Sequence, residues 1–440
     1  MHSMPDVREQ FIIRGGIPLA GSAPVFGSKN ATSKCMIASL LTDEPCVIEN
    51  VPLGAETEIT RELCEGVGSS VVCGPDHSCA LVTPRVITWR VPELSRRNRI
   101  PILALGPLLH RTGQAEVPFL GGDPIGHRPI DFHLDALAKM GITIERKERS
   151  YYARADAITG AEIELPFPSV GATENVLLTA ALARGRTLIQ NAAVEPEIQN
   201  LTAMLQTMGA AIRFDAPNRR IEIDGVSRLR GTTHRILPDR NEIVSFAAAA
   251  IATGGEIFIP DIKKETIAAF LHALDCIGAP YRETPQGMLF ANGSLRAATA
   301  IETGPHPGFM TDWQQPFCVL LTQCCGESTI HETIYEDRFG YAKDLIRMGA
   351  NIRVSDECMG ASCRFHQQTF NHSARIAGPA PLYGADIEIR DIRAGMAHVI
   401  AALAANGESR ISGIEHMDRG YERIDERLRS LGADIRRVKP

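Results

Sequence analysis

The sequence has no run of 18 uncharged apolar residues and so no membrane-spanning helix, and its opening MHSMPDVREQ carries charges where a signal peptide carries its apolar core. Both absences predict a cytoplasmic protein. The 11 cysteines are scattered and odd in number, and no two stand in the C-x-x-C spacing of a zinc or redox motif. The expectation is reduced, mostly buried thiols. A net charge of −6 supplies no broad basic field, which excludes nucleic acid and an anionic membrane as principal partners; any anion site has to be local. Lysine is scarce, 8 residues against 38 arginines, a bias so general that one arginine says little by itself. What remains is a globular composition, 44% hydrophobic and 22% charged, and 440 residues, enough for two or three domains.

A repeat organises that length. Six segments end in an apolar residue, a glycine and an alternating strand-like tail: Val67-Gly68, Met140-Gly141, Met208-Gly209, Ile277-Gly278, Met348-Gly349 and Leu431-Gly432, with glycines spaced by 73, 68, 69, 71 and 83 residues. An Ala/Leu-rich helical run followed by a turn and a β-prone stretch recurs in phase with them. In the third unit GATENVLLTAALARG has an apolar helical face, TLIQNA is β-prone, IQNLTAMLQTMG is a second amphipathic helix and AAIRFDA alternates. A period near 70 exceeds the roughly 20–50 residues of common solenoids. The spacing predicts six α/β units grouped as two domains of three, with the strand FIIRGG closing one domain against late strands.

Polar residues recur just before the first helix of each unit: Ser28-Lys29-Asn30, Asn98-Arg99, Ser169-Val170-Gly171, Asp239-Arg240, Thr311-Asp312 and Asp391-Ile392-Arg393. The plainer reading makes Ser28, Ser169, Thr311 and Asp391 ordinary N-caps. Lysine or arginine there opposes the helix dipole, and an incoming phosphate or carboxylate supplies the reason: helix N-termini with Lys29, Arg99 and Arg393 make an anion trap if the repeat turns them toward one cleft. His133 and His306 are weaker candidates, because a lone histidine is more often structural. The stretch 119–133, FLGGDPIGHRPIDFH, has three glycines and two prolines around few charges, the composition of a shaped loop or of a solvated turn.

Ten motifs in order carry a resemblance: GSKNATSK (27–34), RIPILALGPL (99–108), LGGDPIGHRPIDFH (120–133), FPSVGATEN (167–175), NAAVEPEI (191–198), LPDR (237–240), PHPGFMTDWQQPF (305–317), HETIYEDRF (331–339), DIRAG (391–395) and HMDRGYERI (416–424). From about residue 11 to 437 the chain resembles the enolpyruvyl transferases, and among them the branch that acts on UDP-N-acetylglucosamine. The sister branch making 5-enolpyruvylshikimate 3-phosphate has a Gly-Asn-Ala-Gly-Thr segment not found here. The resemblance implies a two-domain inside-out α/β barrel, residues 1–28 plus 237–440 forming one domain and 29–236 the other, the latter carrying the 119–129 loop. It implies transfer of the enolpyruvyl group of phosphoenolpyruvate to the 3-hydroxyl of UDP-N-acetylglucosamine with release of phosphate, the first committed step of peptidoglycan synthesis. These two small molecules are the partners implied; no metal or organic cofactor is, and the oligomeric state stays open.

By the same resemblance Lys29 and Asn30 contact phosphoenolpyruvate or the reaction centre. Arg99, the backbone of Arg128, Pro129, Ile130, Asp131 and Phe132, and Ser169, Val170 and Gly171 hold the nucleotide sugar, with 128–132 against uracil. Asp312 takes the hydroxyl proton, Ile334 contacts the sugar by its backbone, and Arg338, Arg393 and Arg419 surround phosphate and carboxylate beside Asp391. Asp123 stands where the family most commonly has cysteine; it would deliver or organise a proton, and the epoxide fosfomycin, which alkylates that cysteine, is expected to fail here. Phe167 and Val194 replace a lysine and an arginine common in relatives. Two alternatives stand beside this reading: an enolpyruvyl transferase acting on another uridine nucleotide such as UMP, and an inactive UDP-sugar sensor.

Overall fold

In the computed structural model the described residues are 9–122, 126, 128–297, 300–336, 338–359, 363–366 and 368–439. The chain is a mixed α/β protein divided into two units. Unit one contains residues 9–25, 126 and 238–439, and unit two residues 26–122 and 128–237.

The core of unit one begins with three helices that are buried along almost their whole length. Arg240–Ala252 (RNEIVSFAAAAIA) buries twelve of its thirteen residues, Gln314–Thr322 buries all nine, and Ile392–Ala404 (IRAGMAHVIAALA) buries twelve of thirteen. Beyond their polar first turns these helices are largely apolar on every side and have to be enclosed, and the three pack on one another. The alanine side chains that dominate two of them keep helix propensity high and let neighbours approach closely. Three four-stranded sheets belong to the same unit. Their strand orders are Asp386–Glu388, Glu408–Ser412, Gln10–Arg14, Asp434–Val438; then Tyr281–Thr284, Gly287–Ala291, Glu256–Pro260, Ala20–Ser22; then Ile301–Glu302, Gly326–His331, Ser373–Gly378, Asn351–Ser355. Period-two patterning turns one face of each inward, as with Phe11 and Ile13 or Ile257 and Ile259, all fully buried. The closing role expected of FIIRGG is met: Gln10–Arg14 lies antiparallel between Glu408–Ser412 and Asp434–Val438, with Phe11 opposite Ile411 and Ile13 opposite Ile435.

Unit two has its own buried helices, Lys29–Ala38, Leu105–Thr112 and Val170–Ala180, and a separate apolar core. Its sheets run Ala211–Asp215, Arg220–Asp224, Arg186–Gln190, Glu162–Glu164; then Thr233–Arg235, Cys46–Glu49, Ser78–Val82, Ser70–Cys73; then Gln114–Pro118, Ser150–Arg154, Thr143–Arg146. Each four-stranded sheet of the molecule joins one parallel edge pair to an antiparallel remainder. In the three-stranded sheet an isolated parallel bridge, Arg90 to Glu116, stands where that edge pair would be.

One expectation about cysteine is corrected. Cys73 and Cys79 form a disulfide, because the tight hairpin joining Ser70–Cys73 to Ser78–Val82 sets them directly opposite each other with Cα atoms 4.0 Å apart. The other nine cysteines are thiols and six of them are buried. Among the described residues no helix is long and apolar enough to cross a membrane.

Candidate active site

Unit two assembles its polar residues as a chain of supports. The Lys29 ammonium, at the start of Lys29–Ala38, lies 3.8 Å from the carboxylate of Glu56, which is on helix Ala55–Gly66. The other Glu56 oxygen accepts from the Asn98 amide at 3.0 Å, and Asn98 Oδ1 accepts the backbone N–H of Ile100 at 3.1 Å, fixing the turn that carries Arg99. Arg99 then donates Nη1 to the Arg128 carbonyl at 2.8 Å and Nη2 to the Pro129 carbonyl at 3.4 Å. One guanidinium thereby sets the path of the main chain into helix Asp131–Lys139, whose Phe132 is half-buried against the unit's core while Pro129 and Asp131 remain exposed. His133, one turn on, accepts an Asn175 amide N–H at Nδ1, 3.2 Å away. Burial, then the positive charge of Arg99, push its pKa down to about 3, so it is a neutral structural group. Gly171 faces the same ring: a Cβ there would sit 3.0 Å from it, which explains the glycine. Ser169 caps its helix, its Oγ accepting from Ala172 N–H at 3.3 Å.

Unit one gathers charge more tightly. Asp312, in the short 3-10 turn Thr311–Trp313, accepts Arg338 Nη2 at 2.5 Å on one oxygen and Arg393 Nε at 3.1 Å on the other. Two guanidinium donors on one carboxylate require it to be ionised. Arg393 also donates Nη1 to the Tyr421 hydroxyl at 3.0 Å, which lies 2.9 Å from Ser245 Oγ. Burial raises the Tyr421 pKa, with Arg393 pulling the other way, so the phenol is neutral. Asp391 caps Ile392–Ala404 by accepting the N–H groups of Arg393 and Ala394 at 2.9 and 3.0 Å, and Arg338 Nη1 stands 4.0 Å from it. Arg338, Arg393 and Arg419 are 4%, 6% and 5% exposed, so their charges are held in a poorly hydrated setting. Glu332 lies beneath them, accepting the Thr311 hydroxyl at 2.8 Å and the N–H groups of Ile334 and Tyr335 at 2.8 and 3.2 Å. This shapes the turn at Ile334. Burial raises the Glu332 pKa and Arg338 opposes the rise.

The model of the family described as EPSP synthase (3-phosphoshikimate 1-carboxyvinyltransferase) matches residues 13–428. A UDP-N-acetylglucosamine 1-carboxyvinyltransferase of Protochlamydia amoebophila (strain UWE25) is 45% identical over 439 residues, 97% of this chain and 94% of the relative. The chain belongs to the enolpyruvyl transferases. A relative of the same name from Chlamydia pneumoniae is 43% identical over 95% of this chain and 92% of its own. Among solved structures, the enolpyruvyl transferase NikO from Streptomyces tendae superposes with a TM-score of 0.84 at 23% identity, covering 98% of this chain and 99% of that one, a likeness of fold.

Within this enolpyruvyl transferase the structure brings Asp312, Arg338, Asp391 and Arg393 into one network, and links Lys29 through Glu56 and Asn98 to Arg99 and the 128–129 carbonyls. Arg419 closes the turn Ile414–Arg419, which packs on Ile392–Ala404. Asn30 is half-buried in the first turn of Lys29–Ala38. Asp123 lies outside the described residues. Two of the expected caps differ: Ser28 makes no capping bond and its buried hydroxyl has no partner among the described residues, and the Thr311 hydroxyl donates to Glu332 instead. Sequence reading missed Glu56, Glu332, Tyr421 and Ser245. Tyr421 and Glu332 sit inside motifs already recognised, so that signal was present; Glu56 and Ser245 have none, because each is defined by a partner far away in the chain.

Proposed function

We propose that this chain transfers the enolpyruvyl group of phosphoenolpyruvate to the 3-hydroxyl of UDP-N-acetylglucosamine and releases phosphate, in the cytoplasm, as a step of peptidoglycan synthesis. The observation that carries the reading is one carboxylate, Asp312, held between two buried arginines, in a chain whose relatives at 43–45% identity over nearly their whole length bear the name of that reaction. The shared strand order of the sheets supports a two-domain inside-out barrel of six repeated units.

Phosphoenolpyruvate brings a phosphate and a carboxylate. Taking both out of water needs several fixed cations, which Arg338, Arg393 and Arg419 supply. While Asp312 is clamped by two guanidinium groups it is a weak base. The arriving anions compete for those donors, and Asp312 regains the basicity to take the proton of the sugar 3-hydroxyl. The hydroxyl oxygen bonds to the central carbon of phosphoenolpyruvate as an acid, assigned to Asp123, protonates the methylene. Return of a proton from the resulting methyl group to that same carboxylate restores the double bond as the carbon–oxygen bond to phosphate breaks. Arg99 holds the 128–132 main chain so that its carbonyl and amide groups meet the uracil edge, with Ser169 to Gly171 and the Ile334 backbone toward the rest of the nucleotide sugar.

Phosphate release measured with phosphoenolpyruvate and either UDP-N-acetylglucosamine or UMP tests this directly. Turnover with the nucleotide sugar is expected. Turnover with UMP alone moves the chain to the other acceptor class, and binding without release with any acceptor makes it a sensor.

A further inference from the structure

The geometry points to a structural zinc site in unit one, built by His331, Cys358, Cys363 and His372 and separate from the residues assigned to catalysis. His331 ends strand Gly326–His331, and His372 immediately precedes Ser373–Gly378, its antiparallel partner, so the pairing of His331 with Ser373 brings the two imidazoles together with ring centroids 5.3 Å apart. Cys358 and Cys363 come from the excursion that follows strand Asn351–Ser355. The two sulfurs and one nitrogen of each ring all lie within 4.8 Å of one another. Zinc bonds of about 2.3 Å to sulfur and 2.0 Å to nitrogen place tetrahedral donors roughly 3.3–3.8 Å apart, so small side-chain rotations close the shell.

The surroundings prepare these groups as ligands. His331 Nδ1 pairs with Glu302 Oε2 at 2.8 Å and His372 Nδ1 with the Phe370 carbonyl at 2.6 Å. Each acceptor fixes the ring proton on Nδ1 and turns the Nε2 lone pair inward, the carboxylate–histidine arrangement that orients metal ligands. Both Nε2 atoms are buried and have no hydrogen-bond partner among the described residues, in side chains that are 1% and 0% exposed. A buried acceptor left unpaired is costly, and a metal ion removes the cost at both. Cys363 is 6% exposed and its sulfur accepts the N–H of Phe365 at 3.4 Å, which fixes the position of the sulfur. Phe365, itself 1% exposed, stands edge-on to His372 and keeps water from that side.

Four protein donors leave no open coordination position, so the ion is structural. Two thiolates and two neutral imidazoles select zinc, and binding expels the two thiol protons, leaving the filled site neutral. The site fastens Cys358 and Cys363 to the strand ends. The neighbouring Arg364 donates to the Ile334 carbonyl at 3.2 Å, so zinc also steadies the turn beside Arg338.

The full chain, produced in zinc-supplemented medium and purified reduced without chelator, is assayed for metal by mass spectrometry. About one zinc per chain is expected in the wild type and in Cys325→Ser, which alters an exposed thiol outside the site, with a loss of tenfold or more in Cys363→Ser and His372→Ala. Because those variants risk misfolding, Glu302→Gln, at a half-exposed position, tests the orientation of His331: affinity in competition with a chromophoric chelator falls by roughly 10–100-fold. Cobalt added to metal-free wild type gives thiolate charge-transfer and tetrahedral ligand-field bands. Wild-type protein that takes up neither ion under reducing conditions, a bound ion without thiolate bands, or a Cys358–Cys363 disulfide in place of metal overturns the site.

Discussion

The two units hold their functional residues in opposite ways. Unit one concentrates charge: two arginines share Asp312, a third lies in an adjoining turn, and all three are nearly enclosed. Unit two spends its charge on scaffolding, Lys29 on Glu56 and Arg99 on two main-chain carbonyls, and leaves Pro129 and Asp131 exposed. Enclosed cations suit a small multiply charged anion, for which strength comes from low local dielectric. A braced backbone edge suits a flat, neutral ring, for which selectivity comes from the placement of donors and acceptors. The arginine bias of the sequence hides this difference; only the hydrogen-bond partners reveal it.

The largest contrast expected is between complete resistance and complete inactivation. Neither the charge cluster nor the braced edge depends on a thiol, so fosfomycin leaves the wild type active and Asp123→Cys becomes sensitive; a wild type inactivated with an adduct on Asp123 contradicts this. Next in size is Asp312→Asn, expected to lower kcat by roughly 10²–10⁴-fold as a lost general base. An unchanged kcat would reduce unit one to anion binding.

The division of labour itself is tested by one substitution in each unit. Arg393→Lys loses a forked contact that an ammonium cannot replace and should raise KM for phosphoenolpyruvate by about tenfold or more, while Arg99→Lys raises KM for the nucleotide sugar. Equal effects of both variants on both constants would erase the distinction.

The pH dependence expected of unit two is smaller. Burial, opposed by Lys34 at 4.0 Å and reinforced by Glu197 and Glu195, pushes Glu174 up to about 7. An acid whose folded pKa is raised contributes stability that is full below its unfolded value near 4.5 and lost as pH rises through 7. Glu174→Gln should flatten the fall in Tm between pH 5 and 8; an unaltered slope assigns it elsewhere. Smallest are the caps: Asp391→Ala, losing two backbone bonds, should cost roughly 1–2 kcal/mol in urea unfolding, and Ser169→Ala, losing one long bond, less than about 1 kcal/mol.

Legibility followed distance along the chain. Lys29, Asp312, Asp391 and Arg393 were readable because a cation or an acid at a helix start is a local signal, and FIIRGG because its alternation needs a partner sheet. Glu56 is 27 residues from Lys29 on another helix, and nothing local marks it as a counter-ion. The histidine–cysteine cluster draws on two strand ends and one excursion, so it has no C-x-x-C spacing to find. The Cys73–Cys79 bond depends on hairpin register, which composition does not encode.

Strand Gln10–Arg14 also has a consequence in time. It leaves the ribosome long before both of its neighbours, Glu408–Ser412 and Asp434–Val438. Unit two can assemble as soon as residue 237 has emerged. Unit one has to keep Phe11 and Ile13 waiting while the remaining residues are made, roughly 10–40 s at ordinary elongation rates. The newborn chain therefore carries an unpaired apolar strand through most of its synthesis, and chaperone dependence during translation is expected to concentrate there.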